Sequence, residues 1–503
     1  MYGWLSLVAA CCAAEKPNIL FILVDDLGYA DLGVHGSDEV LTPNIDRLAR
    51  QGVLCTDGYA TAPQCSPSRA GIMTGRFQAS FGFETNFGKA FDPIAEELGW
   101  GVPKNIPMFP EYLKKQGYVS GAFGKWHLGY TEEHNPVNRG FDEYVGFLHG
   151  GGYFLNEKWG IPILRGTERE LNPQPSYLTD FLTHEAIQFM ERHKEQPFFV
   201  YLAHFAPHVP LHAPQAYLEK FSHVESPNRR TFLAMMACLD DGVGQVLDYL
   251  EDSGLSDNTL IFFVSDNGGP TGDNPEAGEN TSKNDPFAGV KGDLLEGGLR
   301  VPFIVSWPGK IKGGSVYRGP VSTLDILPTA IAVSGGEAEP TLHGINLMPY
   351  LTGSKPPALD RELHWRYGPQ QAMRSGSYKM YIPYPGVVET YDLSASSRED
   401  VSAQTAADSV VRTEMQSNLN QWTATLAEPH WKMYFPTAVL RSLDRHAYAG
   451  YESFLEQREA LGEKKFKWAV TKQIYMDAFG FEMDSPSRIQ KKIDSGDISQ
   501  LKQ

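Results

Sequence analysis

The sequence has 503 residues, a formal net charge of -17 and 42% hydrophobic residues. This length allows one large domain and a smaller one, each with its own buried core. Acidic and basic residues are mixed along the chain, which argues against a nucleic-acid partner and a polybasic membrane patch. Five cysteines in a chain of this length exclude a disulfide framework.

The first 14 residues, MYGWLSLVAACCAA, have a short apolar core and end in small residues. This pattern predicts an export signal, and it is too short to cross a membrane as a helix. The run from Val8 to Cys11 is also similar to a bacterial lipobox, although no Lys or Arg precedes the apolar core. We expect a periplasmic, extracellular or surface-anchored protein, with Cys11 as the possible lipid anchor. A plain cleaved signal or a wrongly assigned start codon is the alternative.

Short apolar segments alternate with helical patterns, which is typical of an α/β fold with a large, mostly parallel sheet between helices. Four of these segments are predicted strands followed by polar residues, and they span 18–24, 118–123, 198–203 and 260–265. Ligands of open α/β sheets bind outside the carboxyl ends of the strands. The polar residues that follow these strands should therefore converge at one edge of the sheet.

Helices are predicted over 43–51, 109–116 and 230–250, where proline or glycine marks a helix end. The pattern of apolar and polar residues changes after about residue 355. Strand-like pieces such as 378–383 predict a smaller C-terminal α+β domain there. The predicted boundaries are 15–355 for the large α/β domain, 356–426 for the smaller antiparallel-sheet domain and 427–503 for a C-terminal extension.

Oxygen-bearing side chains follow two of the predicted strands. Asp25 and Asp26 come directly after the first strand, and Asp266 and Asn267 directly after the last. Adjacent carboxylates repel one another unless a cation lies between them, and oxygen ligands favour Ca²⁺ or Mg²⁺. Both sequences are also good turns, but their shared place after apolar strands favours a metal site. The absence of a cysteine or paired-histidine spacing argues against zinc.

Candidate cations and proton carriers accompany this expected metal site. Arg69, Lys125 and Lys291 could bind an anion, and His127 and His208 could move protons because histidine titrates near neutrality. An ordinary surface lysine or loop histidine is the alternative for each. Lys125 and His127 are two residues apart at a strand end, so both side chains can point to the same side. This placement predicts an anion pocket.

Cys65 stands immediately before Ser66-Pro67-Ser68, a sequence that predicts a helix start. The positive end of that helix and Arg69 would stabilise negative charge next to Cys65. A thiolate at this position could itself be a nucleophile. The residues alone therefore predict a hydrolase of anionic esters.

Two stretches resemble known family signatures. CSPSRAGIMTGR, residues 65–76, resembles the signature of the type I, formylglycine-dependent sulfatases of the alkaline phosphatase superfamily. GYVSGAFGKWHLG, residues 117–129, resembles their second signature, with Phe123 in place of a smaller residue. The resemblance runs from Lys16 to about Ser394. It is similarly close to N-acetylgalactosamine-6-sulfatases and to carrageenan-type polysaccharide sulfatases.

The resemblance implies an alkaline-phosphatase-like fold and the hydrolysis of sulfate esters on a sulfated polysaccharide or its oligosaccharides. It also implies that Cys65 is oxidised to Cα-formylglycine by a formylglycine-generating enzyme or an anaerobic maturase. The implied ligands of a calcium ion are Asp25, Asp26, Asp266, Asn267 and the matured Cys65.

The resemblance further implies the remaining catalytic roles. The hydrated aldehyde would attack sulfur with help from the metal and Arg69, while Lys125 and Lys291 hold the sulfate oxygens. His208 would protonate the leaving sugar oxygen, with His204 as its rival, and His127 would act as the base during sulfate release.

Some interpretations stay open at this point. The glycine-rich and aromatic segments 86–91 and 147–154 could line a sugar subsite or could be ordinary surface loops. The chain could also be a phosphodiesterase or phosphonate hydrolase of the same superfamily. A third alternative is a non-catalytic protein that binds sulfated glycans and never matures Cys65.

Overall fold

The computed structural model describes residues 16–86, 101–152, 154, 162–171, 173–175, 177–270, 280–384, 386–399 and 409–429. The predicted export signal, residues 87–91 of the first candidate loop and the extension beyond residue 429 lie outside these residues. Among the described helices, none is both long enough and apolar enough to span a bilayer.

The strands of the described chain run from the N-terminal half into the C-terminal sheet. In chain order they are β1 (Asn18–Val24), β2 (Val53–Cys55), β3 (Gly58–Tyr59), β4 (Val119–Lys125), β5 (Glu143–Phe147), β6 (Leu164–Arg165), β7 (Glu168–Arg169), β8 (Phe198–Ala203), β9 (Thr259–Ser265), β10 (Phe303–Ser306), β11 (Ser315–Tyr317), β12 (Val321–Ser322), β13 (Glu362–Tyr367), β14 (Gln370–Ser375), β15 (Tyr378–Ile382) and β16 (Glu389–Asp392).

Helices lie between most of these strands. The α-helices are α1 (Pro43–Gln51), α2 (Cys65–Thr74), α3 (Phe109–Lys114), α4 (Leu178–His193), α5 (Gln215–Lys220), α6 (Pro227–Asp252), α7 (Glu296–Leu299), α8 (Ile326–Val333), α9 (Met348–Leu351) and α10 (Ser409–Thr423). Short 3-10 helices cover Gly33–His35, Gln78–Phe81, Glu132–His134, Pro136–Arg139, Ser256–Asn258 and Thr323–Asp325.

Ten strands form one sheet in the order β11-β2-β10-β9-β1-β8-β4-β5-β6-β7. The five neighbours from β9 to β5 are parallel, whereas β10, β6 and β7 pair in the antiparallel sense. Strand β1 is buried at every position because it lies between two parallel neighbours with apolar clusters on both faces. The predicted α/β fold with a large, mostly parallel sheet is confirmed.

Element boundaries differ from the predictions by a few residues. Strand β4 runs two residues further than predicted, because Lys125 still pairs with Phe147 of β5. The helix predicted over 109–116 ends at Lys114, and the chain then turns through Gly117 at a φ of 83°. The helix predicted over 230–250 begins earlier, because the Ser226 hydroxyl accepts a hydrogen bond from the Arg229 amide.

The C-terminal sheet is an antiparallel meander of β13, β14, β15 and β16. Its residues Met373 and Met380 face helix α10. The aromatic side chains Trp365 and Tyr381 face the other way and pack on Leu294 of the large domain. The smaller C-terminal antiparallel-sheet domain predicted from the sequence is therefore present.

A buried ion network also joins the C-terminal sheet to the large domain. Lys379 of β15 has no exposed side-chain surface, and its Nζ lies 2.9 Å from Glu296 Oε1 and 2.9 Å from Glu399 Oε1. The backbone amide of Glu296 donates to Glu399 Oε2 at 2.6 Å. Burial would raise the pKa of Glu296, but the charges of Lys379, Arg300 and Arg374 together outweigh burial and lower it to about 2.

Replacing Lys379 with Met should lower the free energy of unfolding by about 3–5 kcal/mol, because Glu296 and Glu399 lose the buried ammonium that lies between them. Urea unfolding followed by tryptophan fluorescence measures this loss. Arg192→Met is the matched control, since it breaks an exposed pair with Glu143 and should cost less than about 1 kcal/mol. Equal losses for the two variants would contradict the structural role given to Lys379.

Candidate active site

The predicted site residues come together at the carboxyl edge of the central parallel strands. Asp25 and Asp26 follow β1, Asp266 and Asn267 follow β9, and Lys125 is the last residue of β4. All five are buried. Since β9 and β4 lie on opposite sides of β1 and β8 in the sheet, the parallel topology brings these distant segments to one place.

Cys65 is the first residue of helix α2, one residue before the predicted helix start. Every residue of this helix is buried. The Ser66 amide donates to Asn86 Oδ1 at 3.0 Å, and the Ser66 hydroxyl donates to the His127 carbonyl at 2.6 Å. These two bonds fix the beginning of the helix, and with it the position of Cys65.

The Cys65 thiol lies among charged groups. Its Sγ is 3.4 Å from Asp25 Oδ1, 3.9 Å from Asp26 Oδ1 and 3.1 Å from Lys291 Nζ. Burial, followed by the charge of Asp25, raises the pKa of the thiol far above its usual range. An unmodified thiolate nucleophile, the first interpretation of this cysteine, is therefore disfavoured.

Each carboxylate of the site has a cationic partner. Lys125 Nζ lies 2.6 Å from Asp25 Oδ2, and Arg69 Nε lies 2.8 Å from Asp266 Oδ2. Lys291 Nζ donates to both oxygens of Asp26, at 2.7 and 2.8 Å. Burial alone would raise the pKa of Asp25, but Lys125, His208, Arg69 and Lys291 outweigh burial and hold that pKa well below its usual range.

The donor atoms fit a hard dication. One ligand atom each from Asp25, Asp26, Cys65 and His208 lie within 4.8 Å of one another. Asn267 Nδ2 donates to Asp26 Oδ1 at 2.7 Å, while its buried Oδ1 has no hydrogen-bond partner in the described part of the chain. Turning this amide over would aim a free carbonyl oxygen at the carboxylates, which is a ligand that Ca²⁺ accepts.

Asp266 contributes differently from the other predicted ligands. Its Oδ2 pairs with Arg69, and its Oδ1 accepts a hydrogen bond of 3.3 Å from the Asp26 amide. Asp26 has a φ of 66°, in the left-handed region that non-glycine residues seldom adopt. Asp266 therefore also holds the backbone that presents Asp26 to the site.

Of the two candidate acids, His208 contacts the site. Its Nε2 lies 3.5 Å from Asp26 Oδ2, and its Nδ1 is 2.6 Å from the Val209 carbonyl. Burial lowers the pKa of His208 to about 4. His204 is fully buried, and in the described residues neither of its ring nitrogens has a hydrogen-bond partner. The structure brings His208, and not His204, to the carboxylate cluster.

His127 lies deeper than His208, with 4% of its surface exposed. Its backbone has a φ of 62°, and its amide donates to the Leu148 carbonyl at 3.0 Å. Burial, with added repulsion from Lys125 and Arg69, lowers the pKa of His127 well below its usual value. The imidazole is therefore neutral, and a neutral imidazole has one ring nitrogen that can accept a proton.

Two aromatic rings of the segment 147–154, those of Phe147 and Phe154, support the site from within the fold. Phe147 and Phe154 are buried, with at most 1% exposure. Phe154 stacks on Phe205 at 4.9 Å, and Phe205 stacks on His208 at 4.8 Å. Of the two interpretations left open, these two rings do not fit a sugar platform, and they pack behind His208 through Phe205.

Several supporting residues were missed in the sequence. The Ser265 hydroxyl accepts from the Leu27 amide at 3.1 Å and donates to the Asn267 carbonyl at 2.8 Å, which ties the two acidic turns together. A serine at the end of an otherwise apolar strand was the available signal for it. Asn86 belongs to the segment 86–91, a candidate for a sugar subsite, and it instead accepts from the Ser66 amide. Phe205 carries no such signal, because its importance depends on contacts across the fold.

The fold and the site together define a hydrolase of anionic esters with an alkaline-phosphatase-like architecture. The sequence model of the sulfatase family matches residues 17–336 of the chain. The chain therefore belongs to the sulfatase family, and it is a sulfuric ester hydrolase. The family inferred from the two signatures is confirmed, whereas the roles of the individual site residues stay predictions.

Relatives and solved structures agree with this assignment. Human N-acetylgalactosamine-6-sulfatase is 34% identical over 392 residues, which are 75% of this chain and 73% of that protein. The crystal structure of Ps i-CgsB in complex with k-i-k-neocarrahexaose is 31% identical, with a TM-score of 0.76 over 90% of this chain and 99% of that chain. A phosphonate monoester hydrolase from Silicibacter pomeroyi, 19% identical with a TM-score of 0.59 over 81% of this chain and 95% of that chain, shares the fold.

Gly150 supplies a direct test of the importance of His127. A Cβ at position 150 would lie 2.3 Å from His127 Cε1, whereas a Cβ at Gly151 would have no atom within 4 Å. We expect Gly150→Ala to displace the imidazole and to lower kcat on an aryl sulfate on the order of 100-fold. Gly151→Ala should leave kcat unchanged. Equal activity of the two variants would show that the position of His127 does not matter.

Proposed function

We propose that the protein removes sulfate from a sulfated carbohydrate, with a formylglycine made from Cys65 as the nucleophile and a bound Ca²⁺ ion. The observation that carries this proposal is the position of the Cys65 side chain. It lies at the start of α2, within reach of Asp25, Asp26 and Lys291 at once. A nucleophile placed there has both an anion-binding cation and metal-binding oxygens beside it.

The ion would be held by Asp25, Asp26, Asn267 and residue 65, with Asp266 completing the set or positioning Asp26. Oxygen donors in this number favour Ca²⁺. When bound, the ion supplies positive charge that stabilises the sulfate oxygens and the nucleophile. The hydrated aldehyde of formylglycine supplies a hydroxyl group for attack on sulfur.

The cations of the pocket would bind the sulfate group. The Lys291 side chain is 16% exposed and therefore faces an entering ester, whereas Arg69 and Lys125 are fully buried below it. Arg69 is held in place by its bond from Nη1 to the Lys125 carbonyl at 2.8 Å. A fixed guanidinium and two ammonium groups stabilise negative charge that grows on the sulfate oxygens.

The exposure of the two histidines supports their separate roles. The His208 side chain is 15% exposed and lies on the solvent side, where the leaving sugar must depart. Its Nδ1 faces the Val209 carbonyl, so Nε2 is the atom that would carry the transferred proton. An anionic ester next to this ring would raise its pKa again. His127 is buried and neutral, and it would accept a proton during sulfate release.

The substrate class follows from the relatives. The first relative is named for N-acetylgalactosamine 6-sulfate, and the related crystal structure holds a neocarrahexaose. A sulfated polysaccharide or its oligosaccharides is therefore the proposed substrate. Export through residues 1–14 fits this substrate, because such polymers occur outside the cell.

Maturation of Cys65 would precede folding. Cys65 is 1% exposed and Arg69 is fully buried, so a maturase has no access to this segment in the folded chain. A formylglycine-generating enzyme or an anaerobic maturase would therefore act on the chain while it is still unfolded.

Sulfate release, measured by ion chromatography, tests the proposed function. N-acetylgalactosamine 6-sulfate, carrageenan oligosaccharides and an aryl sulfate serve as substrates, and release of the aryl alcohol from an aryl phosphate diester is followed in parallel by absorbance. We expect sulfate release from at least one carbohydrate, and its loss in the Cys65→Ala variant. Faster cleavage of the phosphate diester would favour a phosphodiesterase. Glycan binding without turnover, unchanged in Cys65→Ala, would favour a binding protein.

A further inference from the structure

The segment that carries Lys291 is tied to the segment that carries Cys65. The Gly292 amide donates to the Pro63 carbonyl at 2.9 Å, two residues before Cys65. The Lys291 amide donates to the Gly269 carbonyl at 3.3 Å, beyond the acidic turn of β9. We call residues 290–295 the Lys291 loop. One side of this loop is thus fixed by backbone hydrogen bonds to the catalytic edge of the large sheet.

The opposite face of the Lys291 loop is held by one side chain of the C-terminal sheet. Gln370, the first residue of β14, donates from Nε2 to the Gly292 carbonyl at 3.2 Å. Its Oε1 accepts from the Leu294 amide at 3.5 Å. Gln370 is 1% exposed, so water does not replace these bonds readily.

The orientation of the Gln370 amide is itself fixed. The Tyr381 hydroxyl donates to Gln370 Oε1 at 2.7 Å, and Tyr381 is also 1% exposed. An amide whose oxygen already accepts from Tyr381 must present its NH₂ group to the Gly292 carbonyl. The donor therefore faces the loop at the residue next to Lys291.

Lys291 depends on such support because its side chain is long and flexible. Gly292 has a φ of 91°, and glycine permits many other conformations at this position. The ammonium nevertheless lies 3.1 Å from Cys65 Sγ and contacts both oxygens of Asp26. The backbone of the loop must therefore be held if the ammonium is to stay at this distance from residue 65.

We propose that Gln370 is a positioning residue for sulfate ester hydrolysis, which holds Lys291 at the sulfate through the Gly292 carbonyl. This inference rests on the proposed role of Lys291 in binding sulfate oxygens. It makes the C-terminal sheet part of the catalytic apparatus, although no residue of that sheet is proposed to touch the substrate. Tyr381 acts indirectly, because its hydroxyl fixes the orientation of the Gln370 amide.

A double-mutant cycle on the full-length matured enzyme tests the proposal. Gln370→Met keeps the side-chain volume and removes both hydrogen bonds to the loop, and Lys291→Ala removes the cation. We expect Gln370→Met alone to lower kcat/KM on an aryl sulfate roughly tenfold. In the Lys291→Ala background the same change should have almost no further effect, because the cation that Gln370 positions is already gone.

A second variant and a control separate positioning from folding. Tyr381→Phe keeps the ring and removes the hydroxyl that orients the Gln370 amide, so it should lower kcat/KM while its thermal midpoint stays close to that of the wild type. Met380→Ala weakens the same sheet on the face toward α10, and it should lower the thermal midpoint without lowering kcat/KM.

The outcomes of the cycle are distinguishable. Losses that add in the double variant would overturn the positioning role while leaving the sulfatase mechanism intact. Full activity of Lys291→Ala would overturn both the positioning role and the proposed sulfate-binding role of Lys291. Full activity of Gln370→Met, with normal sensitivity to Lys291→Ala, would show that the loop holds its own position.

Discussion

The whole site depends on the burial of three carboxylates together with three cations. Asp25, Asp26 and Asp266 have almost no contact with water, and unpaired charges in such a place would be strongly unfavourable. Arg69, Lys125 and Lys291 pair with them at 2.8 Å or less. This balance makes the edge of the sheet stable.

The rest of the fold serves to bring these charges together. The parallel strands β9, β1, β8 and β4 end at the same edge, so residues far apart in the chain meet there. Helix α2 then places residue 65 over the carboxylates, and Ser66 connects its first turn to the backbone of His127. Phe205 supports both His208 and Lys125, whose Nζ is 5.5 Å from the centre of its ring. Residue 65, His127 and His208 are thus fixed by separate elements.

Much of this arrangement could be predicted from the sequence. Apolar strands followed directly by Asp25-Asp26 and by Asp266-Asn267 indicated which ends of the sheet carry the chemistry. The signature around Cys65 indicated the family. The supporting residues could not be predicted in the same way. The missing Cβ of Gly150 leaves room for His127, and this close approach exists only in the folded chain. Gln370 lies in an unremarkable strand, and nothing in its sequence neighbourhood indicates that its amide contacts Gly292.

The central claim is that residue 65 acts as an aldehyde made from cysteine, held by this charge cluster. The most direct measurement is the mass of the tryptic peptide 51–69, compared with the rate of sulfate release for the same preparations. Preparations expressed with and without a maturase should differ in both quantities. If residue 65 acts as the aldehyde, activity rises in proportion to the fraction of the peptide that carries formylglycine. A preparation in which residue 65 is cysteine throughout, yet which releases sulfate at the same rate, would contradict it.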